Sequence, residues 1–247
     1  MKPLLPFAAG LLLSACLASP SRADVVISGT RVVYPGQARE VTVQLTNNGA
    51  TPSLVQAWLD GGDPKVAPDQ SDAPFVLTPP IFRIDPHRGQ TLRLMYAGSP
   101  LPQDRESVFW LNVLEVPPVP TGEAGKNYLQ LAFRSRIKVF FRPPGLQGRA
   151  NEAPDRLRWR VVRAPDGRGY ALQCENPTPY HVSFSRIGLA AGGREYRHDK
   201  GGMVDPMASA VFPLEGLAAA PAPGARVAFD AINDYGANVP HQAAPMP

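Results

Sequence analysis

Cysteine is nearly missing from this chain: 247 residues carry two, Cys16 and Cys174. Cys16 falls in a leader-like N-terminal segment, so an exported chain would keep one thiol and no internal disulfide. Packing must then hold each domain together. Cys174 lies inside a strand pattern and reads as a buried small hydrophobe rather than a nucleophile. Histidine is scarce too: His87, His181, His198 and His241 have no metal-ligand spacing. No serine has a nucleophile-elbow context and no Gly-rich stretch could cradle a phosphate. The lone His198-Asp199 pair reads as solvated. A hydrolase is therefore a distant reading, and nothing calls for a cofactor or a metal. The chain has no lysine-rich tail and no basic helix, which argues against nucleic acid. No later apolar run approaches the roughly 18 residues that suggest a membrane span. No helical face of useful length appears.

What is present points to strands. Proline contributes 29 residues and glycine 22, while 44% of the chain is hydrophobic and 19% charged. A packed core is feasible, and so much punctuation favours short strands over helices. Residues 1–23 read as a secretory signal, with Lys2 ahead of the apolar Leu4–Leu13 and a Ser21-Arg22-Ala23 cleavage pattern. Cleavage after Ala23 would remove two cations and no acid, bringing the formal charge from +4 to +2. A rival reading takes Leu13-Ser14-Ala15-Cys16 as a lipoprotein box.

β-Branched content, alternation and turn residues then mark a series of strands. Asp24–Tyr34 reads as the first, followed by Val41–Thr46, Leu54–Leu59 with Trp58 in the core, two fragments within Phe75–Asp85, and Gln90–Tyr96. Val108–Val116 and Tyr128–Phe140 read as a hairpin. Arg142–Asn151, rich in Pro and Gly, reads as a hinge. Beyond it come Arg156–Val162, Tyr170–Glu175, His181–Ile187, Ser209–Leu214 and Arg226–Ile232, with Trp159 as core and a loose end at Gln242–Pro247. The expected architecture is all-β: two antiparallel sandwiches in series, residues 24–144 and 145–247.

One stretch, Asn127–Pro144, stands out. Leu129, Leu131 and Phe133 alternate with Gln130, Ala132 and Arg134; Arg136, Lys138 and Val139-Phe140-Phe141 follow. Such a strand at a sheet edge can template another chain.

Leu101–Pro117 resembles the signature segment of the periplasmic pilus-assembly chaperones, the PapD-like family, through Leu101-Pro102, Asp104-Arg105-Glu106-Ser107, Trp110, Asn112-Val113 and Val116-Pro117. Further stretches are similar in the same order: Thr30-Arg31, Gln56-Ala57-Trp58, Ile137–Pro143, Glu175–Tyr180 and Ile232–Gly236. The resemblance implies two immunoglobulin-like domains in an L with an inter-domain cleft. It implies that Arg31 and Lys138 grip the C-terminal carboxylate of a pilus or fimbrial subunit. It also implies that Leu129, Leu131 and Phe133 complete that subunit's fold by donor-strand complementation, and that Glu106, Arg142 and Asp234 form an inter-domain ion network. An outer-membrane usher would receive the subunit, and the free protein could self-associate through its exposed strand. The short Pro117–Asn127 connection without a cysteine pair is similar to the short-loop branch, and the residues after Gly236 suggest only a weak last strand. The alternative is an exported immunoglobulin-like structural or adhesive protein of a surface fibre.

Overall fold

A computed structural model describes residues 24–119, 129–221 and 224–246. The expected leader, residues 1–23, and the start of the long strand at Asn127 and Tyr128 lie outside the described residues. Apart from two short 3-10 turns, the regular structure of the rest is all strand, gathered around two separate apolar cores.

The first core is enclosed by two sheets. One runs β1 (Val25–Ile27), β3 (Val41–Asn47), β7 (Gly89–Tyr96), β5 (Phe75–Thr78). The other runs β2 (Arg31–Pro35), β9 (Phe133–Arg142), β8 (Ser107–Val116), β4 (Ser53–Asp60), β6 (Ile81–Ile84). The sequence pattern suggests one strand over Asp24–Tyr34, but the chain changes sheets within it. Gly29, at φ +148°, breaks the strand where a side chain would be strained. β1 joins β3, while β2 crosses to lie parallel to β9.

The second core is enclosed by β10 (Arg158–Arg163), β11 (Tyr170–Asn176) and β15 (Ala208–Pro213) on one side. β13 (Arg194–His198), β12 (Val182–Ala191), β16 (Arg226–Ile232) and β17 (Asn238–Ala243) form the other, with β14 (Gly202–Val204) also on β12. Trp159 is fully buried among Phe184, Phe212 and Phe229. Cys174 is buried in the same core, where burial pushes its thiol up to about 12. The expected loose end is ordered instead. β17 pairs with β16, and Met246 N donates to Trp159 O at 2.7 Å, so the tail closes the outer edge of β10.

Both sandwiches turn a corner on a buried asparagine. Asn47 Nδ2 donates to Thr51 O at 2.8 Å and Ile84 O at 3.0 Å, and its Oδ1 accepts from Gly49 N at 2.9 Å. Asn176 Nδ2 donates to Tyr180 O at 2.7 Å and Asp205 O at 3.0 Å, and its Oδ1 accepts from Thr178 N at 3.0 Å. Each amide satisfies three main-chain groups that would otherwise be orphaned in the interior.

Two further expectations need correction. Trp58 is buried but not in the sandwich core. Alternation in β4 turns Val55, Ala57 and Leu59 inward, which leaves Trp58 on the outer face under the Arg134 guanidinium. The long strand starts at Phe133 rather than at Asn127. β8 ends at Val116, and the last register pair is Glu115 with Phe133, so residues 129–132 have no strand beside them to take their hydrogen bonds.

Candidate functional site

The sheet change at Gly29 positions the site. It sets β2 in parallel register with β9, with Arg31 opposite Lys138. Odd residues of β9 fill the first core: Ile137, Val139 and Phe141. Even residues, Arg134, Arg136, Lys138, Phe140 and Arg142, face the other way by the strand's period of two. From Lys138 onward that face meets the second domain.

Lys138 Nζ donates to Ser183 Oγ at 3.0 Å, and Arg31 Nη1 donates to Ile232 O at 2.8 Å. Lys138 also lies 5.4 Å from the Trp110 ring centroid, and Arg31 lies 5.7 Å from that of Phe140. Among the described residues neither cation has an ion-pair partner, and Arg31 Nε is buried with no hydrogen bond. Burial, and then the neighbouring Arg31, pull Lys138 down to about 8. Burial also lowers Arg31, against a pull upward from Asp234 and Glu106. Two partly desolvated cations side by side are chemically suited to an anion, since a carboxylate would restore what burial removed.

Glu106, Arg142 and Asp234 are brought together across the domain junction. Arg142 Nε donates to Glu106 Oε1 at 2.6 Å, and its two Nη atoms donate to the Asp234 oxygens at 2.8 and 3.0 Å. Burial opposes the charge on Arg142, but the Asp234 and Glu106 contacts outweigh it and raise its pKa. Glu106 also accepts from His181 N at 2.9 Å, and Glu106 N donates to Pro179 O at 2.9 Å. Phe140 packs against the His181 ring at 5.5 Å, giving the junction an apolar contact as well.

Sequence reasoning missed a second buried ion pair on the same face. Asp60 accepts from Arg136 and, at 2.6 Å, from Asn112 Nδ2. Burial alone would raise the Asp60 carboxyl, but those hydrogen bonds hold it below its usual range. Two residues on from Trp58, Asp60 shares its outer face, and that spacing could have marked it as a partner for the cations of β9.

Leu129 and Leu131 precede the paired part of β9 and are 83% and 49% exposed. Phe133 opens the strand, half-buried. By sequence parity all three continue the side that fills the core from Ile137 onward, past the point where the sandwich ends. β2 pairs only with Lys138 to Arg142, so among the described residues the β9 edge over Phe133–Ile137 has no neighbour on that side.

The Lys138 site has a pH signature. Its folded pKa lies below the unfolded value of 10.5, so the unfolded chain holds this proton more tightly. The resulting destabilisation is complete below about 8 and fades as pH climbs toward 10.5. Anion binding runs the opposite way. Above about 8 the free amine is neutral, and it must take up a proton from solution before it can pair with a carboxylate. Affinity for a carboxylate-bearing partner is expected to fall by up to about tenfold per pH unit above that point. Titration calorimetry at pH 7, 8 and 9 checks this; a flat profile would exclude Lys138 from the contact.

Two immunoglobulin-like sandwiches meeting at a junction that holds two cations without an ion-pair partner among the described residues define a class of two-domain proteins. Residues 24–147 match the family model for the pili and flagellar-assembly chaperone PapD N-terminal domain, and residues 152–243 that for the pili assembly chaperone PapD C-terminal domain. The chain belongs to this family of pilus-assembly chaperones. The probable fimbrial chaperone YadV of Escherichia coli (strain K12) is 50% identical over 226 residues, 90% of each chain. Its crystal structure superposes with a TM-score of 0.77 at 48% identity, over 89% of this chain and 98% of that one. The chaperone protein FimB/FhaD of Bordetella pertussis is 44% identical over 241 residues, 96% of this chain and 94% of the relative. The Salmonella enterica SafB chaperone, solved in complex with the SafA pilin, has a TM-score of 0.71 at 25% identity, over 91% of this chain and 98% of that one.

Proposed function

We propose that this chain is a periplasmic chaperone that captures pilus or fimbrial subunits by donor-strand complementation and passes them to an outer-membrane usher. Arg31 and Lys138 hold the subunit's C-terminal carboxylate. Leu129, Leu131 and Phe133 enter the groove of a subunit whose own fold lacks a strand, and the main chain of the β9 edge supplies the ladder. Glu106, Arg142 and Asp234 hold the angle at which the two domains present this surface. We take the leader to end at Ala23 and the domains to span 24–144 and 145–247, divided where both cores give way to the Pro/Gly-rich turn after Arg142.

One observation carries the reading: two partly buried cations without an ion-pair partner among the described residues lie in register beside a strand edge left open. The family match and the pilin complex of SafB support it. The fibre-protein alternative is disfavoured because both chaperone family models match in series. The open edge could also pair with that of a second copy, so self-association would compete with capture.

Co-expression with a fimbrial subunit followed by gel filtration tests the reading. A soluble 1:1 complex supports it, and subunit polymers or aggregates in its presence oppose it. Leu131→Glu is expected to lower capture at least a hundredfold. It forfeits about 1.5–3 kcal/mol of apolar burial and forces a charge into the subunit's groove. Since Leu131 is exposed in the free protein, the variant's melting temperature should not move. Undiminished capture would remove Leu131 from the interface.

A further inference from the structure

Resting on the reading of Lys138 as a carboxylate anchor, we propose that the cleft holds a second subsite, for the side chain of the captured segment's last residue, and that it selects a large apolar one. A carboxylate bonded to Lys138 Nζ sits about 2.8 Å away, which brings the Cα and Cβ of that terminal residue to within about 5 Å of the nitrogen. The side chain must therefore enter whatever space adjoins Lys138.

That space is a cavity of about 450 Å³ with Lys138 in its wall. Three apolar groups frame it, and sheet register places each of them. Trp110 is the β8 partner of Lys138. Met203 and Ile232 are the partners of Ser183 on either side, and Ser183 is the residue that receives the lysine's hydrogen bond. The anchor contact thus sits at the centre of a cross, with Arg31 and Trp110 flanking it in one domain and Ile232 and Met203 in the other.

The outer wall is built. It is the turn Asp199–Gly201 between β13 and β14, together with Gly202 at the start of β14, laid directly onto β12. Gly201 has φ +63°, and a Cβ there would fall 2.6 Å from Phe184 O; one on Gly202 would fall 2.6 Å from the Phe212 ring. Only a glycine pair lets the turn come so close. The His198 ring lies between Pro213 O and Gly201 O, at 2.9 and 3.1 Å from its two nitrogens, and holds the turn against β15. Asp199 and Lys200 give the turn one charge of each sign, and Arg136 beneath Trp110 is already paired with Asp60. The pocket therefore offers apolar contact and little net charge beyond the anchor itself. A last residue such as Phe, Met or Leu fits this lining, and an acidic one does not.

Fluorescence anisotropy with labelled synthetic dodecapeptides tests it. The peptides alternate Val and Thr, end in Phe, Met, Ala or Asp, and carry a free carboxylate or a carboxamide. Phe- and Met-terminated peptides should bind at least tenfold more tightly than those ending in Ala or Asp. Met203→Ala, and independently Gly201→Ala, should narrow that gap to less than threefold. Equal affinity for all four residues, a preference for Asp, or a gap unchanged in both variants would overturn the subsite. Equal binding of carboxamide and carboxylate would instead overturn the anchor on which it rests.

Discussion

Lys138→Met is expected to abolish subunit capture without weakening the fold. In the free protein Lys138 is partly buried, has one hydrogen bond, to Ser183, and is pulled down to about 8. Its charge is a liability to stability and an asset only when an anion arrives. Methionine keeps most of the apolar stem and removes the desolvated charge, so the melting temperature should hold or rise. Capture loses a charge-assisted hydrogen bond and the Coulomb attraction of one cation, about 3 kcal/mol or roughly a hundredfold or more in affinity. Arg31 alone would keep a fraction of the anion's attraction. Calorimetric melting paired with titration of a denatured subunit separates the two effects. A destabilised variant would mean that Lys138 is structural, and a stable variant with intact capture would mean that the carboxylate goes elsewhere.

Glu106→Ala should be the most damaging single change at the domain junction. The Glu106 side chain is only 2% exposed and receives Arg142 Nε and the His181 main chain. Removing it strands buried donors on both domains, and breaking such a pair typically costs about 3–5 kcal/mol. The Arg142–Asp234 pair, with Asp234 at 38% exposure, should matter much less, about 1 kcal/mol, because Arg142 would keep Glu106. Glu106→Ala is therefore expected to split the melt into two transitions and broaden the inter-domain angles seen in small-angle scattering, while Asp234→Ala gives a milder form of the second effect. If Asp234→Ala proved the worse of the two, the junction would be governed by the exposed pair and this ranking would be wrong.

Much of the fold can be read from local pattern because the strands obey it. Val41–Thr46, Gln90–Tyr96 and Arg226–Ile232 lie within or on the strands observed, and the Pro/Gly-rich stretch after Arg142 separates the two cores. What escapes is whatever depends on a distant partner. Asp24–Tyr34 is β-branched at both ends, and only Gly29 in its middle hints that Val26 and Arg31 belong to different sheets. Leu129 and Leu131 look like strand, but a strand needs a neighbour and β8 stops short of them. The residues after Gly236, with a proline among them, suggest only a weak last strand running into a loose tail, yet β16 offers an edge and Asn238–Ala243 takes it. Of the site, Glu106 and Lys138 fall in long motifs and Arg31 in a short one. Trp110 stands in the long motif without a role there, Asp60 is hinted at only by its spacing from Trp58, and Ser183 enters only through register, which a single chain of letters does not display.

The asparagine corners carry a consequence for how the two halves differ. Asn47 and Asn176 hold the same bend with the same three bonds, so the molecule is one architectural theme stated twice. In the second statement the chain's end folds back onto the outer edge of β10, with Met246 laid against Trp159. In the first, among the described residues, the rim along Phe133–Ile137 is left unsealed. Among the described residues the two halves thus differ at these two margins, one covered by the chain's own end and the other open from the point where the paired cations stand.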